Sequence, residues 1–239
     1  MRPLIVNPRP FCCAFTALLL TACSTGGGAI TESGRYLFND FFGRTDSSTP
    51  SFDPALSYLR ATKGGAVAYL VLGYVDSTPS GSVEVWYSAR REVLRLRNGR
   101  LVGTTGLDLD WRASQTVGLP SWQTLMLTQQ EASYRRTRDI EPTYQFGIDE
   151  QIRIVRLASY KPIALQSHPS ASLTWFEEHA ESLVPGAASL PPSRFGVAVA
   201  DDGSPYVVYS EQCLSADVCY SFERLQAPPA TAAAAAAGS

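Results

Sequence analysis

The stretch VEVWYSARREVLRLRNGRLVGTTGL, residues 83–107, alternates apolar and polar side chains on both sides of an Asn-Gly pair. Asn98-Gly99 predicts a two-residue hairpin turn of type I′, because both central residues of that turn need a positive φ. Such a turn fixes the cross-strand pairs, which are Arg97 with Arg100, Leu96 with Leu101, and Arg95 with Val102. The leucines then lie on one face of the hairpin and the arginines on the other. We therefore expect a half-buried sheet whose arginine face is solvated or paired with carboxylates.

The overall charge of the chain argues against a nucleic-acid partner. The 239 residues carry a formal net charge of −2, whereas nucleic-acid binders need a basic surface. The hydrophobic share of 45% and the charged share of 18% are typical of one globular domain. The composition therefore predicts a single folded domain that does not bind nucleic acid.

The first 22 residues have the organisation of a secretory signal peptide. Arg2 and Arg9 form a positive region, and an apolar run follows from Phe11 to Leu20. That run is too short to span a bilayer, which needs about 20 residues. Residues 1–22 are therefore predicted to be removed on export.

The end of this segment also predicts a lipid anchor. Leu20-Thr21-Ala22-Cys23 resembles a bacterial lipobox, which implies cleavage before Cys23 and lipidation of that cysteine with fatty acids such as palmitate. Several acyl chains on one residue give stable anchoring. Ser24, next to the lipidated cysteine, resembles the sorting signal that directs a lipoprotein to the outer membrane. Residues 23–30 are then a lipidated, flexible tether, and the folded domain lies in the periplasm of a Gram-negative bacterium.

Cysteine usage agrees with export. Removal of the signal peptide and lipidation of Cys23 leave two of the five cysteines, Cys213 and Cys219. An even pair in an oxidising compartment predicts a disulfide. The alternative, a metal site, lacks nearby ligands, because His168 and His179 are the two histidines of the chain and neither is adjacent in sequence. We therefore expect a disulfide and no metal.

Strand signals dominate from residue 66 onwards. Two short helices are predicted before them, at 31–42 and 54–61. Residues 173–183 fit a strand or, at 175–179, a helical turn. Beside the strands of 83–107, runs bounded by turn residues predict strands at 66–75, 123–135, 143–148, 152–157, 161–166, 195–200, 206–210 and 220–225.

Nine or ten short strands predict an all-β fold, mainly antiparallel and either barrel-like or a sandwich, with one or two short N-terminal helices. The hairpin turns after residue 140 are expected at 149–151 and 201–204. The β domain should span residues 31–226. Residues 227–239 are rich in alanine and proline and are predicted to be disordered.

Candidate chemistry is sparse. No G-x-S-x-G, P-loop, G-x-G-x-x-G or H-E-x-x-H motif occurs, so we predict no catalytic residue and no cofactor. Three carboxylate pairs could serve a glycosidase only if they faced each other across a cleft; they are Asp108/Asp110, Asp139/Glu141 and Asp201/Asp202. Four tryptophans are candidates for stacking on sugar rings, although core positions are the commoner place for this residue; they are Trp86, Trp111, Trp122 and Trp175.

The opening stretch also resembles a known family. Trp86-Tyr87-Ser88, the turn from Arg97 to Val102, and Thr105-Gly106-Leu107 are similar to the Trp-Ser strand, N-G-R-L-V turn and T-x-G-L of the YjbF/GfcB family. These are outer-membrane lipoproteins of exopolysaccharide and group 4 capsule systems. The likeness extends more loosely over residues 30–225, and Arg90-Arg91 departs from an expected acidic residue. The family has no defined active site, so the resemblance implies no catalytic residue.

These observations predict a non-catalytic outer-membrane lipoprotein that assists exopolysaccharide or capsule secretion, with polysaccharide-export proteins as partners and glycan as a candidate ligand. One alternative is a glycan-modifying hydrolase that uses a carboxylate pair. The other is a scaffold for an outer-membrane barrel. Carboxylates facing each other beside exposed tryptophans would favour the hydrolase, and an apolar patch at one end of the barrel would favour the scaffold.

Overall fold

The computed structural model describes residues 52–128 and 130–226. The chain divides into two units, 1–49 and 50–239, and the description below concerns the second. The predicted signal peptide, the lipidated Cys23, the tether, the helix at 31–42 and the tail at 227–239 lie outside the described residues. No helix in the described part is long and apolar enough to cross a membrane.

Within residues 52–128 and 130–226, twelve antiparallel strands form one sheet, which confirms the all-β, barrel-like prediction. In spatial order they run β5-β4-β3-β2-β1-β12-β11-β10-β9-β8-β7-β6. One short helix, α1 (Trp122–Leu127), and a 3₁₀ turn at Ser170–Ser172 interrupt them. The strands are β1 (Tyr58–Lys63), β2 (Ala66–Thr78), β3 (Gly81–Ser88), β4 (Val93–Arg97), β5 (Arg100–Thr105), β6 (Asp110–Val117), β7 (Ala132–Glu141), β8 (Gln145–Leu157), β9 (Thr174–Ser182), β10 (Ser193–Val199), β11 (Pro205–Cys213) and β12 (Cys219–Arg224).

The sheet curls until its two edges nearly meet. The Thr104 hydroxyl of β5 accepts a hydrogen bond from the Trp111 backbone N–H of β6 at 2.9 Å. The Gln212 side chain of β11 is also hydrogen-bonded to edge strand β5 and to the turn before it. Its oxygen accepts from the Leu101 N–H at 2.8 Å, and its amide donates to the Gly99 carbonyl at 2.9 Å. The edge is thereby covered rather than left open to pair with another chain.

Two apolar clusters fill the interior, and a third lies beneath the loop at 158–172. The first comprises Leu59, Ala61, Leu70, Trp86, Leu94, Leu96, Leu101, Trp111, Ile140, Ile148, Leu214 and Phe222. The second comprises Trp122, Leu125, Tyr134, Ile152, Ile154, Phe176, Phe195, Val197 and Val207. The third comprises Leu173, Trp175, Val208 and Tyr209.

The hairpin of β4 and β5 confirms the predicted turn and corrects part of its register. Asn98 and Gly99 have φ values of +49° and +76°, as a type I′ turn requires. Arg97 lies opposite Arg100 and Leu96 opposite Leu101, as expected. A bulge then shifts the strands, so that Arg95 lies opposite Gly103 and not opposite Val102.

At the hairpin tip the arginines are not solvated, and Arg100 takes the other expected arrangement, pairing with the carboxylate of Glu178. Arg97 and Arg100 are both buried, because the tip packs against α1 and β11. The Trp122 indole donates to the Asn98 carbonyl at 2.8 Å. A β-carbon on Gly99 would lie 2.4 Å from Val207. Arg95 alone of the three keeps partial contact with solvent.

Near the start of the domain, a strand replaces the predicted helix at 54–61. Asp53 caps one isolated turn, in which its carboxylate accepts from the Ala55 N–H at 2.9 Å. β1 then begins at Tyr58 and pairs with both β2 and β12. Pairing on two sides outweighs the local helix-start signal of Asp53-Pro54.

Three further local predictions were wrong, and the alternative left open at 173–183 is settled in favour of a strand. Residues 123–135 hold α1 and the start of β7, because Ser121 caps a helix. β8 runs unbroken through 149–151, and the turn of that hairpin lies at 142–144. Residues 161–166 form an irregular loop, and 175–179 belong to β9 instead of a helical turn. The hairpin turn at 201–204 was placed correctly between β10 and β11.

Candidate functional site

The four tryptophans proposed as sugar contacts are all buried in the core. Each indole N–H donates a hydrogen bond within the protein. Trp86 donates to the Glu84 carboxylate, and the other three donate to backbone carbonyls: Trp111 to Leu214, Trp122 to Asn98 and Trp175 to Ser170. Three of the ring faces are covered by arginines. The Arg100 guanidinium lies 3.7 Å from the Trp122 ring centroid, Arg224 covers Trp86 and Arg136 covers Trp111. In this conformation no indole face is available to a sugar ring.

The carboxylate pairs stabilise turns and strand ends, and none of them faces a cleft. Asp110 accepts from the Thr104 hydroxyl at 2.8 Å and from the Gly106 N–H at 2.9 Å, while Asp108 is exposed to solvent. These contacts cap the turn between β5 and β6, which is the ordinary role of an aspartate in a loop.

The other two pairs have the same kind of role. Asp139 accepts from the Gly147 N–H at 2.8 Å, and Glu141 forms a surface ion pair with Arg112. Asp202 accepts from the Ser204 N–H at 2.9 Å, and hydrogen bonds from Ser204 lower the pKa of the Asp202 carboxyl. The predicted pairs therefore lack the opposed geometry that a glycosidase requires.

The histidines and cysteines also have local partners. His168 contacts the Ser167 hydroxyl at 2.8 Å, and His179 contacts Glu177 at 2.7 Å. Within the described residues, no group of three His, Cys, Asp or Glu side chains is placed to hold a metal. Cys213 and Cys219 lie opposite each other on β11 and β12 and form a disulfide.

Sequence reasoning missed a set of ion pairs inside the barrel. Glu178 on β9 accepts from Arg100 at 2.7 Å and from the Tyr134 hydroxyl at 2.9 Å. Burial, together with the neighbouring Glu178 carboxylate, raises the pKa of Tyr134. Glu150 on β8 pairs with Arg138 at 3.0 Å. Alternation with period two shows which residues share a face, but it does not show that charged side chains meet inside a closed sheet.

Two glutamates that hold the loop at 158–172 were also missed. Glu223 on β12 is paired with Arg60 and accepts from the Gln166 N–H at 2.9 Å. Glu211 on β11 accepts from the Tyr160 hydroxyl at 2.7 Å and from the Ile163 N–H at 3.1 Å. These contacts hold the loop against the face of the sheet opposite the first core cluster. No local signal reveals them, because the partners are about 50 residues apart in sequence.

One end of the barrel exposes apolar side chains. Tyr144 and Phe146, at the turn between β7 and β8, are 72% and 60% exposed. Leu183 and Val184 are also exposed. They follow β9 at the same end of the barrel, where the Leu183 N–H donates to the Asp149 carbonyl of β8 at 2.8 Å. Tyr144 has a φ of +51°, which is unusual for an aromatic residue. We call Tyr144, Phe146, Leu183 and Val184 the apolar end.

Comparison with known proteins bears on the identity of the chain. A family model described as "Group 4 capsule polysaccharide lipoprotein gfcB, YjbF" matches residues 47–185, more than half of the chain. The crystal structure of the hypothetical lipoprotein YmcC from Escherichia coli K12 has a TM-score of 0.61 at 16% identity. That likeness covers 84% of this chain and 98% of the other, and it supports the fold. No curated protein matches the chain significantly.

Proposed function

Because the chain belongs to the YjbF family of group 4 capsule polysaccharide lipoproteins, we propose that it assists capsule or exopolysaccharide secretion without catalysing a reaction. The family match carries this proposal. In it, Cys23 is the lipidated residue and anchors the protein to the inner leaflet of the outer membrane. The β domain then lies in the periplasm, where polysaccharide-export proteins of the outer membrane are its expected partners.

The contacts of the acidic residues support a role in binding instead of turnover. A general acid and base need carboxyls that face a common substrate position. The candidate pairs instead cap turns or form surface ion pairs, as described for Asp110, Asp139, Glu141 and Asp202. The buried glutamates are each paired with an arginine, which leaves them no free role as a proton donor.

The apolar end favours, as a second candidate function, the scaffold for an outer-membrane barrel, in which this end docks on a partner protein of the export system. Interface centres are enriched in aromatic side chains and surrounded by polar groups. Tyr144 and Phe146 have this character, and Asp139, Asp149 and Glu141 lie on the strands beside them. Since Glu141 is paired with Arg112, Asp139 and Asp149 are the carboxylates that favour a basic protein surface over an anionic membrane.

Deletion of the gene, followed by complementation, tests the proposed function. Deletion should reduce surface polysaccharide while cytoplasmic nucleotide sugars remain available. Wild-type protein should restore the polymer, and Cys23→Ala should fail to do so because the unlipidated domain is released from the membrane. Cys213→Ala with Cys219→Ala is a control that removes the other two cysteines, and with them the disulfide, without removing the anchor.

Three results would contradict parts of this proposal. Unchanged surface polymer in the deletion strain would exclude a role in secretion. Loss of complementation on neutralising one carboxylate pair alone, in a protein that still folds and reaches the membrane, would favour the hydrolase. Equal fatty-acid labelling of wild type and Cys23→Ala would show that the anchor lies elsewhere.

A further inference from the structure

The two ends of the barrel differ in charge. The apolar end lies at the turn between β7 and β8, with acidic side chains beside it. At the opposite end of the same hairpin, where β7 begins and β8 ends, three arginines are exposed: Arg135, Arg153 and Arg156. Within the described residues only Arg153 forms an ion pair, with Glu131 at 3.3 Å, and both of these side chains are more than half exposed. Three arginines against one glutamate leave a local excess of positive charge.

Two apolar side chains are exposed beside these arginines. Val117, at the end of β6, is 73% exposed and lies opposite Arg135 in the pairing of β6 with β7. Leu127, the last residue of α1, is 76% exposed, and the chain reaches the start of β7 five residues later. Neither side chain belongs to one of the three apolar clusters of the interior, so the fold does not account for their apolar character. We call Val117, Leu127, Arg135, Arg153 and Arg156 the basic end.

The strand register places the basic groups close together. Arg135 lies opposite Gln151, and Ser133 lies opposite Arg153. Arg135 and Arg153 are therefore diagonal neighbours on one face of the sheet, about 7–8 Å apart. Arg156, one residue before the end of β8, extends the positive charge to the rim of the barrel. The other carboxylates described at this end lie further round the sheet; they are Asp53, Asp76, Asp201 and Asp202.

The chain also enters the β domain at this end of the barrel. Phe52 packs on Tyr58 and Tyr69, with ring centroids 4.8 Å and 5.2 Å apart, and Tyr58 is the first residue of β1. Because neighbouring strands are antiparallel from β1 through β12 to β7, the start of β1 lies at the end where β8 finishes and β7 begins. The covalent connection to Cys23 therefore leaves from the basic end, and the apolar end lies at the other end of the strands.

We propose that the basic end rests on the surface of an anionic lipid bilayer, with its arginines on lipid phosphates and with Val117 and Leu127 in the headgroup region. Arginine suits such a surface, because its apolar stem lies along the interface while its guanidinium binds phosphate. The inference rests on the proposed function in taking Cys23 to be lipidated. The anchor then holds lipid at a high local concentration beside this end, an advantage that an acidic protein partner lacks. The apolar end stays free for a protein partner.

The orientation of the anchored protein tests the proposal directly. The lipidated, full-length mature protein is placed in phosphatidylcholine vesicles made with and without phosphatidylglycerol. Leu127→Cys carries an environment-sensitive fluorophore, and Val184→Cys, at the apolar end, is the matched control. The introduced cysteine is then the one free thiol, because Cys23 is acylated and Cys213 is bonded to Cys219. Brominated lipid should quench the fluorophore at position 127 in anionic vesicles and leave that at position 184 unquenched.

Removal of charge from each end measures the contribution of the arginines. The unanchored Cys23→Ala protein should sediment with anionic vesicles at low salt, more weakly than the lipidated protein. Arg135→Gln and Arg156→Gln should each weaken this binding by about fivefold, the usual effect of one arginine near an anionic surface. Arg90→Gln and Arg91→Gln remove the same charge from the exposed turn between β3 and β4, at the apolar end of the barrel, and should have little effect. All four positions are exposed, so the melting temperature should stay unchanged.

Several results would overturn the proposal. Equal quenching at positions 127 and 184, or quenching at 127 that does not depend on phosphatidylglycerol, would show that the basic end does not face the anionic surface. Equal losses from the two pairs of arginine variants would show that net charge alone governs binding. Cross-linking of the basic end to a protein, without contact with lipid, would assign this surface to an acidic protein. These vesicle measurements do not depend on surface polymer, so unchanged polymer in the deletion strain would reject the proposed function and leave the lipid contact standing.

Discussion

Gly99→Ala should destabilise the domain more than an alanine at any open turn glycine, because two separate costs meet at this position. The first is backbone strain: φ is +76°, and an L-residue in the left-handed region costs about 1–2 kcal/mol. The second is overpacking, since the new β-carbon would lie 2.4 Å from the β-carbon of Val207. Forcing a methyl group into a filled site costs about 1–3 kcal/mol. The total is about 2–5 kcal/mol.

Gly203→Ala is the matched control. Gly203 has a φ of +83° in the turn between β10 and β11, and a β-carbon there would meet nothing within 4 Å. It therefore carries only the backbone cost of about 1–2 kcal/mol. Urea denaturation followed by near-ultraviolet circular dichroism gives both free energies of unfolding.

A double-mutant cycle isolates the contact with Val207. Val207→Ala removes two of the three close atoms and keeps its β-carbon, so it should relieve part of the clash. We expect a coupling free energy of about 1 kcal/mol between Gly99→Ala and Val207→Ala. Equal destabilisation by Gly99→Ala and Gly203→Ala, with no coupling, would show that the hairpin tip does not pack on β11.

Two further predictions concern the loop at 158–172. Glu223→Ala should lower the free energy of unfolding by about 3–5 kcal/mol, because it leaves Arg60 buried and unpaired. Urea denaturation measures this change, and Glu131→Ala, at an exposed ion pair, is the control. Similar effects of the two variants would contradict the prediction. Burial and the hydrogen bond to Glu211 raise the pKa of Tyr160 from 10.0 to about 12. Because the folded value is the higher one, this contribution to stability is complete below about pH 10 and is lost as the pH rises through about 12. Spectrophotometric titration should show one late-titrating phenol fewer in Tyr160→Phe, and unchanged curves would refute the assignment.

Predictions from the sequence succeeded where a turn motif alone dictates the backbone conformation. Asn98-Gly99 specified its turn through backbone conformation alone, and the same reasoning located the turn at 201–204. The helix at 54–61 failed because Asp53-Pro54 is a local signal that two-sided pairing of β1 outweighs. The turn at 149–151 failed because Asp149 and Gln151 point out of a continuous strand, while Ile148 and Glu150 point inward.

Long-range contacts explain what the sequence could not show about the candidate site. Trp86 and Trp122 looked available to sugar, but closure of the sheet buries both and places arginines on their faces. The pairing of Glu178 with Arg100 joins residues 78 positions apart. Composition and periodicity contain no information on such pairs, since they depend on how the sheet closes.

The arginines of the opening hairpin follow from the same geometry. Arg97 and Arg100 lie opposite each other, and like charges at that spacing repel. The barrel stabilises Arg100 with Glu178, Tyr134 and the face of Trp122, but offers Arg97 no carboxylate among the described residues. The two arginines of this cross-strand pair are therefore stabilised unequally, and Arg100→Gln should lower the free energy of unfolding more than Arg97→Gln, because it also leaves Glu178 buried without its partner.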